Sequence, residues 1–213
     1  MSKDSNRLAR PAQAARQQSG GLAQSAAPGR VRIIGGQWKR TPLQVPAVPG
    51  LRPTPDRVRE TLFNWLGQSL DGWRCLDLFA GSGALGLEAA SRGAARVVLV
   101  ERDRAASRLI AQALSRLAGS ERVALIEADA QRALSDLKAR DEPRFDLVFL
   151  DPPFSEDWVT RLWPAIEVCV ADAGLIYVES DRAFDPVPPP WRIERAGRAG
   201  QVHYHLLRRA SIG

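Results

Sequence analysis

The chain has 213 residues, 45% hydrophobic and 25% charged, a size and balance that suit one catalytic domain with a small appendage. Its longest apolar runs, such as Val97–Val100 and Leu147–Leu150, have strand length and exclude a membrane span. The two cysteines, Cys75 and Cys169, lie far apart with no Cys or His at ligand spacing, which excludes a disulfide scaffold or zinc knuckle and suits a reducing cytoplasm. The net charge of +6 is uneven: residues 1–59 carry 11 basic residues against Asp4 and Asp56, a net of +9, and the remainder is −3. A basic arm on a near-neutral body is the electrostatic footprint expected where a polyanion is met.

Residues 1–30 are mostly Ala, Gln, Ser, Gly and Arg, a composition that predicts a disordered basic tail. They share the Arg-rich, acid-poor character of a transit peptide but lack its apolar helical face. Val31–Trp38 and Leu43–Val45 read as short strands around the Lys39-Arg40 turn, making residues 31–53 a basic hairpin extension that ends in the breakers Pro46, Pro49 and Pro53. Thr54 is then expected to cap a helix with Pro55 at its first position. Val58, Leu62, Trp65 and Leu66 form its buried stripe.

Residues 54–213 are expected to form the catalytic domain. Strands are predicted at Cys75–Phe79, Arg96–Glu101, Val123–Glu127, Phe145–Leu150 and Gly174–Glu179. Helices alternate with them at Ala84–Ser91, Arg104–Leu117, Ala130–Ala139 and Trp158–Val170. Trp191–Ala196 and Val202–Leu207, joined through Gly197 and Gly200, close the chain as a hairpin. The fold class is α/β: a mostly parallel sheet with helices on both faces and an antiparallel closing hairpin.

Such sheets bind ligands at the carboxyl ends of their strands. The first candidate site there is Asp77-Leu78-Phe79-Ala80-Gly81-Ser82-Gly83-Ala84-Leu85-Gly86, whose glycines let backbone approach a ligand closely. The same glycines satisfy the dinucleotide pattern G-x-G-x-x-G. Two neighbours favour S-adenosylmethionine instead. Asp77 is placed to take up a methionine ammonium, and Glu101, ending the next strand beside Arg102, can accept ribose hydroxyls. Asp129-Ala130 could meet an adenine amine, although Asp129 also reads as a helix cap. The second site is Asp151-Pro152-Pro153-Phe154. An exocyclic amine on a base is a poor nucleophile because its lone pair is delocalised into the ring. A carboxylate and a backbone carbonyl that accept its N–H groups favour a pyramidal nitrogen, and Phe154 can stack on an extruded base. His203 and His205 share a strand face but have no third ligand in sequence, so no metal is expected.

Arg32-Ile33-Ile34-Gly35-Gly36-Gln37-Trp38, Leu51–Leu66, Asp77–Leu87, Asp151–Phe154 and Gly200-Gln201-Val202-His203-Tyr204 together resemble the RsmD family of bacterial 16S rRNA guanine-N2 methyltransferases. The resemblance spans about residues 31–208 and implies a seven-stranded Rossmann-like sheet. It implies methylation of a guanine N2 in small-subunit rRNA, G966 in the family's terms, within assembled or partly assembled subunits. It also implies that Asp77, Phe79, Ala80, Gly81, Ser82, Gly83, Glu101, Arg102, Asp129 and Ala130 hold the cofactor, and Asp151, Pro152, Pro153 and Phe154 the target base. The residues expected to meet RNA are Arg32, Trp38, Lys39, Arg40, Arg52, Thr54 and Arg57. The expected partners are 16S rRNA and the small ribosomal subunit, with a cytoplasmic monomer, no membrane and no metal. Three other readings stay open: a DNA or other RNA amino-methyltransferase, a nicotinamide-dependent oxidoreductase, and a non-catalytic ribosome-assembly factor.

Overall fold

The computed structural model describes residues 30–46, 54–153 and 157–210. Arg52 and Phe154, both named above, lie outside the described residues, as does the 1–29 segment. The chain opens with a two-stranded antiparallel ribbon, β1 (Arg30–Arg32) and β2 (Pro42–Gln44). The expected strand over Val31–Trp38 is therefore much shorter. Gly36 explains part of this: its φ of +72° turns the chain, and a Cβ there would stand 1.8 Å from the Ser91 carbonyl oxygen. Ile33 still exchanges backbone hydrogen bonds with Arg40 and Thr41, and the segment after it docks on a helix end.

Next come α1 (Asp56–Trp65), β3 (Arg74–Asp77), α2 (Ala84–Ser91), β4 (Arg96–Glu101), α3 (Arg104–Leu114), β5 (Val123–Glu127) and α4 (Ala130–Ala139). The chain continues through β6 (Phe145–Leu150), α5 (Trp158–Cys169), β7 (Val170–Ser180), β8 (Trp191–Ala199) and β9 (Val202–Arg209). The seven-stranded sheet has the order β5-β4-β3-β6-β7-β9-β8; β3 to β7 are parallel, and β9 runs antiparallel to both β7 and β8. Short runs such as Val97–Val100 and Leu147–Leu150 are buried throughout because helices cover both faces.

One core lies between the sheet, α1, α2, α3 and the N-terminal ribbon, and includes Val31, Leu43, Phe63, Leu87, Ile110 and Phe149. The other lies under α4 and α5, around Leu76, Leu134, Val148 and Ile166. The N-terminal ribbon thus shares its core with the sheet. From β3 the chain steps outward to β4 and β5, then returns to the other side of β3 with β6. This reversal opens a crevice at the carboxyl ends of β3 and β6. No helix among the described residues is long and apolar enough to cross a membrane.

Candidate active site

The turn after β3 is tied to its neighbours by backbone and carboxylate. Ala80 N–H donates to the Val100 carbonyl (2.9 Å), Gly83 N–H to the Ala80 carbonyl (2.6 Å), and Gly81 N–H to Glu101 Oε2 (2.7 Å). Glu101 Oε1 accepts from Asp103 N–H (2.7 Å), so both of its oxygens brace the turn and the end of β4. Burial raises the Glu101 carboxyl above its usual range. Gly83 adopts φ +78° immediately before α2, and a Cβ there would stand 2.9 Å from Leu87 Cδ1. Its glycine thus answers the handedness and packing of its own turn, where the sequence suggested clearance for a ligand.

Asp77 ends β3, as expected. Its side chain is buried, with 1% exposure, and Oδ2 accepts Gly86 N–H (3.0 Å). The other oxygen, Oδ1, is buried without a hydrogen-bond partner among the described residues. Burial lifts its pKa to about 7, against the opposing pull of the Gly86 and Phe79 amides and with help from the Glu101 and Glu179 charges. Ala80 and Ser82 are buried in the turn, and Phe79 packs edge-on against Trp158 at 5.8 Å between ring centroids. Arg102 is exposed just beyond β4. Asp129 caps α4 through Arg132 N–H (2.9 Å) while remaining exposed, and Ala130 is buried behind it.

Asp151 leaves the adjacent strand. Asp77 pairs in register with Phe149, so Asp151 lies two residues further along the neighbouring strand. Pro152 is buried, and Asp151 and Pro153 are half-buried. Thr54 does not cap α1, whose N-cap position is taken by Pro55, with no side-chain cap. Its buried hydroxyl instead lies 3.1 Å from Asp151 Oδ2 and 3.0 Å from Glu179 Oε1. Tyr177 O–H donates to the same Glu179 oxygen (2.8 Å). Burial and the Glu179 charge push Asp151 well above the carboxylate range, and burial raises Glu179 as well. Sequence reasoning missed Glu179 and Tyr177. The available signal was an acid ending an apolar strand, the same pattern that marked Glu101.

Four acids, Asp77, Glu101, Asp151 and Glu179, thus gather at neighbouring strand ends. The ion pairs of the described residues involve none of them. Such a cluster, with one carboxylate oxygen unpartnered, suits a cationic ligand. Among the described residues no three His, Cys, Asp or Glu stand together as a metal site. His203 and His205 stack face to face at 6.4 Å.

The residues expected to meet RNA are split. Arg32 is exposed and pairs with Asp56 (3.1 Å), and the exposed Arg57 lies in the first turn of α1, beside Thr54. Lys39 and Arg40 are exposed on the turn of the ribbon, where Arg40 N–H donates to the Ile33 carbonyl (2.8 Å), while the preceding Gln37 N–H donates to the Ser91 carbonyl at the end of α2 (2.7 Å). Trp38 is corrected to a packing residue: it is 5% exposed, its indole N–H donates to the Ala118 carbonyl (2.9 Å), and Arg122 lies over its ring. No ring face remains for a base.

A seven-stranded sheet of this order with acids and a glycine turn at its crevice is a Rossmann-like methyltransferase fold. A solved chain from Escherichia coli superposes with a TM-score of 0.72 at 46% identity, covering 85% of this chain and 98% of that one. An RNA methyltransferase from Salinibacter ruber, solved with S-adenosyl-L-homocysteine, shares the fold at a TM-score of 0.58 and 17% identity, covering 76% of this chain and 97% of that one. By sequence, Ribosomal RNA small subunit methyltransferase D of Escherichia coli K12 is 47% identical over 190 residues, 87% of this chain and 93% of that protein. The family profile described as Conserved hypothetical protein 95 matches residues 31–208. The chain belongs to this family, the RsmD family.

Proposed function

We propose that this chain transfers a methyl group from S-adenosylmethionine to the N2 amine of a guanine in 16S rRNA, G966 in the family's terms, within the small ribosomal subunit. The observation that carries the reading is the placement of Asp151 directly after the strand beside the glycine turn, with its carboxyl held by Thr54. The name of the 47%-identical relative supports the rRNA substrate. The unpaired acids and the orphaned Asp77 oxygen support a cationic cofactor.

S-adenosylmethionine, when bound, supplies an electrophilic methyl group. The turn Phe79–Gly83, with Asp77, Glu101, Arg102, Asp129 and Ala130 around it, would hold that cofactor. Asp151 and the carbonyls of the Pro152-Pro153 loop would accept the two N–H groups of the target amine and aim its lone pair. Little base strength is needed for an in-line displacement, so positioning carries most of the rate. The two prolines fix φ near Asp151 and keep its carboxyl from swinging away.

The test is tritiated methyl transfer to rRNA, both naked and within small subunits from a strain lacking the modification, followed by nucleoside analysis. N2-methylguanosine is the expected product; label in another nucleoside would overturn the base assignment. Asp151→Ala should fold, bind cofactor near normally and lose about 10²–10⁴ in single-turnover rate. A wild-type rate in that variant, with only its melting temperature lowered, would reduce Asp151 to a strand-end brace.

A further inference from the structure

The donors and acceptors around Thr54 do not balance if both neighbouring carboxyls are ionised. Thr54 Oγ1 touches Asp151 Oδ2 and Glu179 Oε1 at 3.1 and 3.0 Å, yet a hydroxyl has one proton to give. Tyr177 O–H already spends its own on Glu179 Oε1. Thr54, Tyr177 and Glu179 are all buried, with 6%, 0% and 3% exposure. Two negative charges separated by one hydroxyl in such a site repel strongly. One additional proton satisfies every contact, and it can sit at either end. On Asp151, it donates to Thr54, which donates to Glu179. On Glu179, it donates to Thr54, which donates to Asp151 and leaves that carboxylate ionised at the crevice.

We propose that Thr54 is a proton relay between Asp151 and Glu179, and that Glu179 is a positioning residue which takes the proton Asp151 must not hold when the target amine arrives. The proposal rests on the methyl-transfer reading above. Moving the proton from Asp151 through Thr54 to Glu179 breaks the Asp151 and Thr54 O–H bonds and makes new ones on Thr54 and Glu179, with no change in net charge. As the amine nitrogen takes the methyl group, the donor's S–CH3 bond would break with its electron pair kept by sulfur, which leaves as the neutral thioether; the nitrogen's N–H bond breaks and that proton passes to the ionised Asp151 oxygen. The nitrogen's positive charge and the carboxylate's negative charge are discharged together. Asp151 is half-buried, so it can return the proton to water. Tyr177 holds Glu179 in place by donating to it in both states. Among the described residues the other titratable groups around the relay are Asp77, which acts on Asp151, Tyr204, which acts on Tyr177, and Arg59, which donates to the Thr54 carbonyl (3.4 Å).

The experiment uses the full-length chain with Glu179→Gln, Thr54→Val and Thr54→Ser. Carboxyl-carbon NMR titration of the unliganded protein reads the shared proton without any turnover. In the wild type, Asp151 and Glu179 should titrate in two linked steps. In Glu179→Gln, Asp151 should titrate alone and at lower pH, because its like-charged neighbour is gone. Single-turnover methyl transfer should show its rise with pH moved in the same direction. Thr54→Val should slow transfer about tenfold or more with unchanged KM for S-adenosylmethionine, and Thr54→Ser should restore most of the rate. An unshifted Asp151 titration in Glu179→Gln overturns the shared proton. A wild-type rate and pH profile in Thr54→Val overturns the relay, and so does equal loss in Thr54→Ser, which would show a packing role. No transfer by the wild-type chain counts against the proposed function, while the titration still decides the pair.

Discussion

At the scale of single residues, burial with no cationic partner among the described residues sets the chemistry. Asp77 has an ordinary carboxyl in the unfolded chain, near 4, and is raised to about 7 in the fold. Between those values the folded chain holds a proton that the unfolded chain has released. Stability should therefore fall as pH rises from about 4 to about 7, by at most about 1.4 kcal/mol per pH unit, and then level off. Asp77→Asn keeps an acceptor for Gly86 N–H and should flatten that slope, as read by urea unfolding across the pH range. The same protonation should oppose a cationic ligand, so cofactor affinity should tighten as pH rises through about 7, with proton release visible by calorimetry in buffers of different ionisation heat. Affinity that is flat with pH would place the cofactor's charge elsewhere. Asp77 was legible in the sequence as important, because an acid ended a strand before a glycine turn. Its sealed position was not, because burial depends on what lies across the sheet.

At the scale of elements, the N-terminal ribbon, α1 and α2 meet at one buried ionic hub. Glu88 on α2 accepts from Ile34 N–H (2.7 Å), Gly35 N–H (2.8 Å) and Arg92 Nε (2.7 Å), and Arg59 Nη1 stands 3.5 Å away. Arg59, with no exposure, donates to the carbonyls of Arg32 (2.9 Å) and Thr54 (3.4 Å) and to Asp56 (2.6 Å). Burial pulls its pKa down while Asp56 and Glu88 push it up. The hub fixes where Thr54 enters the site and which basic groups stand at the crevice. Arg32 and Arg57 lie at that end of α1, whereas Lys39 and Arg40 lie on the turn of the ribbon, beyond the Arg32–Pro42 pair. Arg32→Ala and Arg57→Ala should each weaken rRNA binding and flatten its salt dependence, by roughly one unit of slope for every phosphate no longer neutralised. Lys39→Ala and Arg40→Ala should do less, and filter-binding across a salt series separates the two pairs. Equal weakening by both pairs would mean that the RNA also meets the turn of the ribbon.

At the scale of the whole molecule, four acids converge from β3, β4, β6 and β7 on one crevice. That convergence makes the charge of the ligand a property of the fold, and it separates a methyl donor from a nicotinamide cofactor. S-adenosylhomocysteine, which keeps the ammonium group, should raise the melting temperature of the unmodified chain by mass action, and NADH should not. Stabilisation by NADH alone would return the oxidoreductase reading. Residue pattern alone specifies the elements whose signal is local. Val97–Val100 and Leu147–Leu150 are apolar runs bounded by turns, and the structure keeps Arg96–Glu101, Val123–Glu127 and Phe145–Leu150 as strands. The glycine turn, the Asp151 loop and the family are specified in the same way, because residue type and spacing carry them. It took the packed fold to turn Trp38 inward, to set Thr54 between two acids instead of capping α1, and to stand Glu179 beside Asp151. Those placements follow from strand order and register, which bring residues 54, 151 and 179 together, and no local pattern encodes a contact between such distant segments.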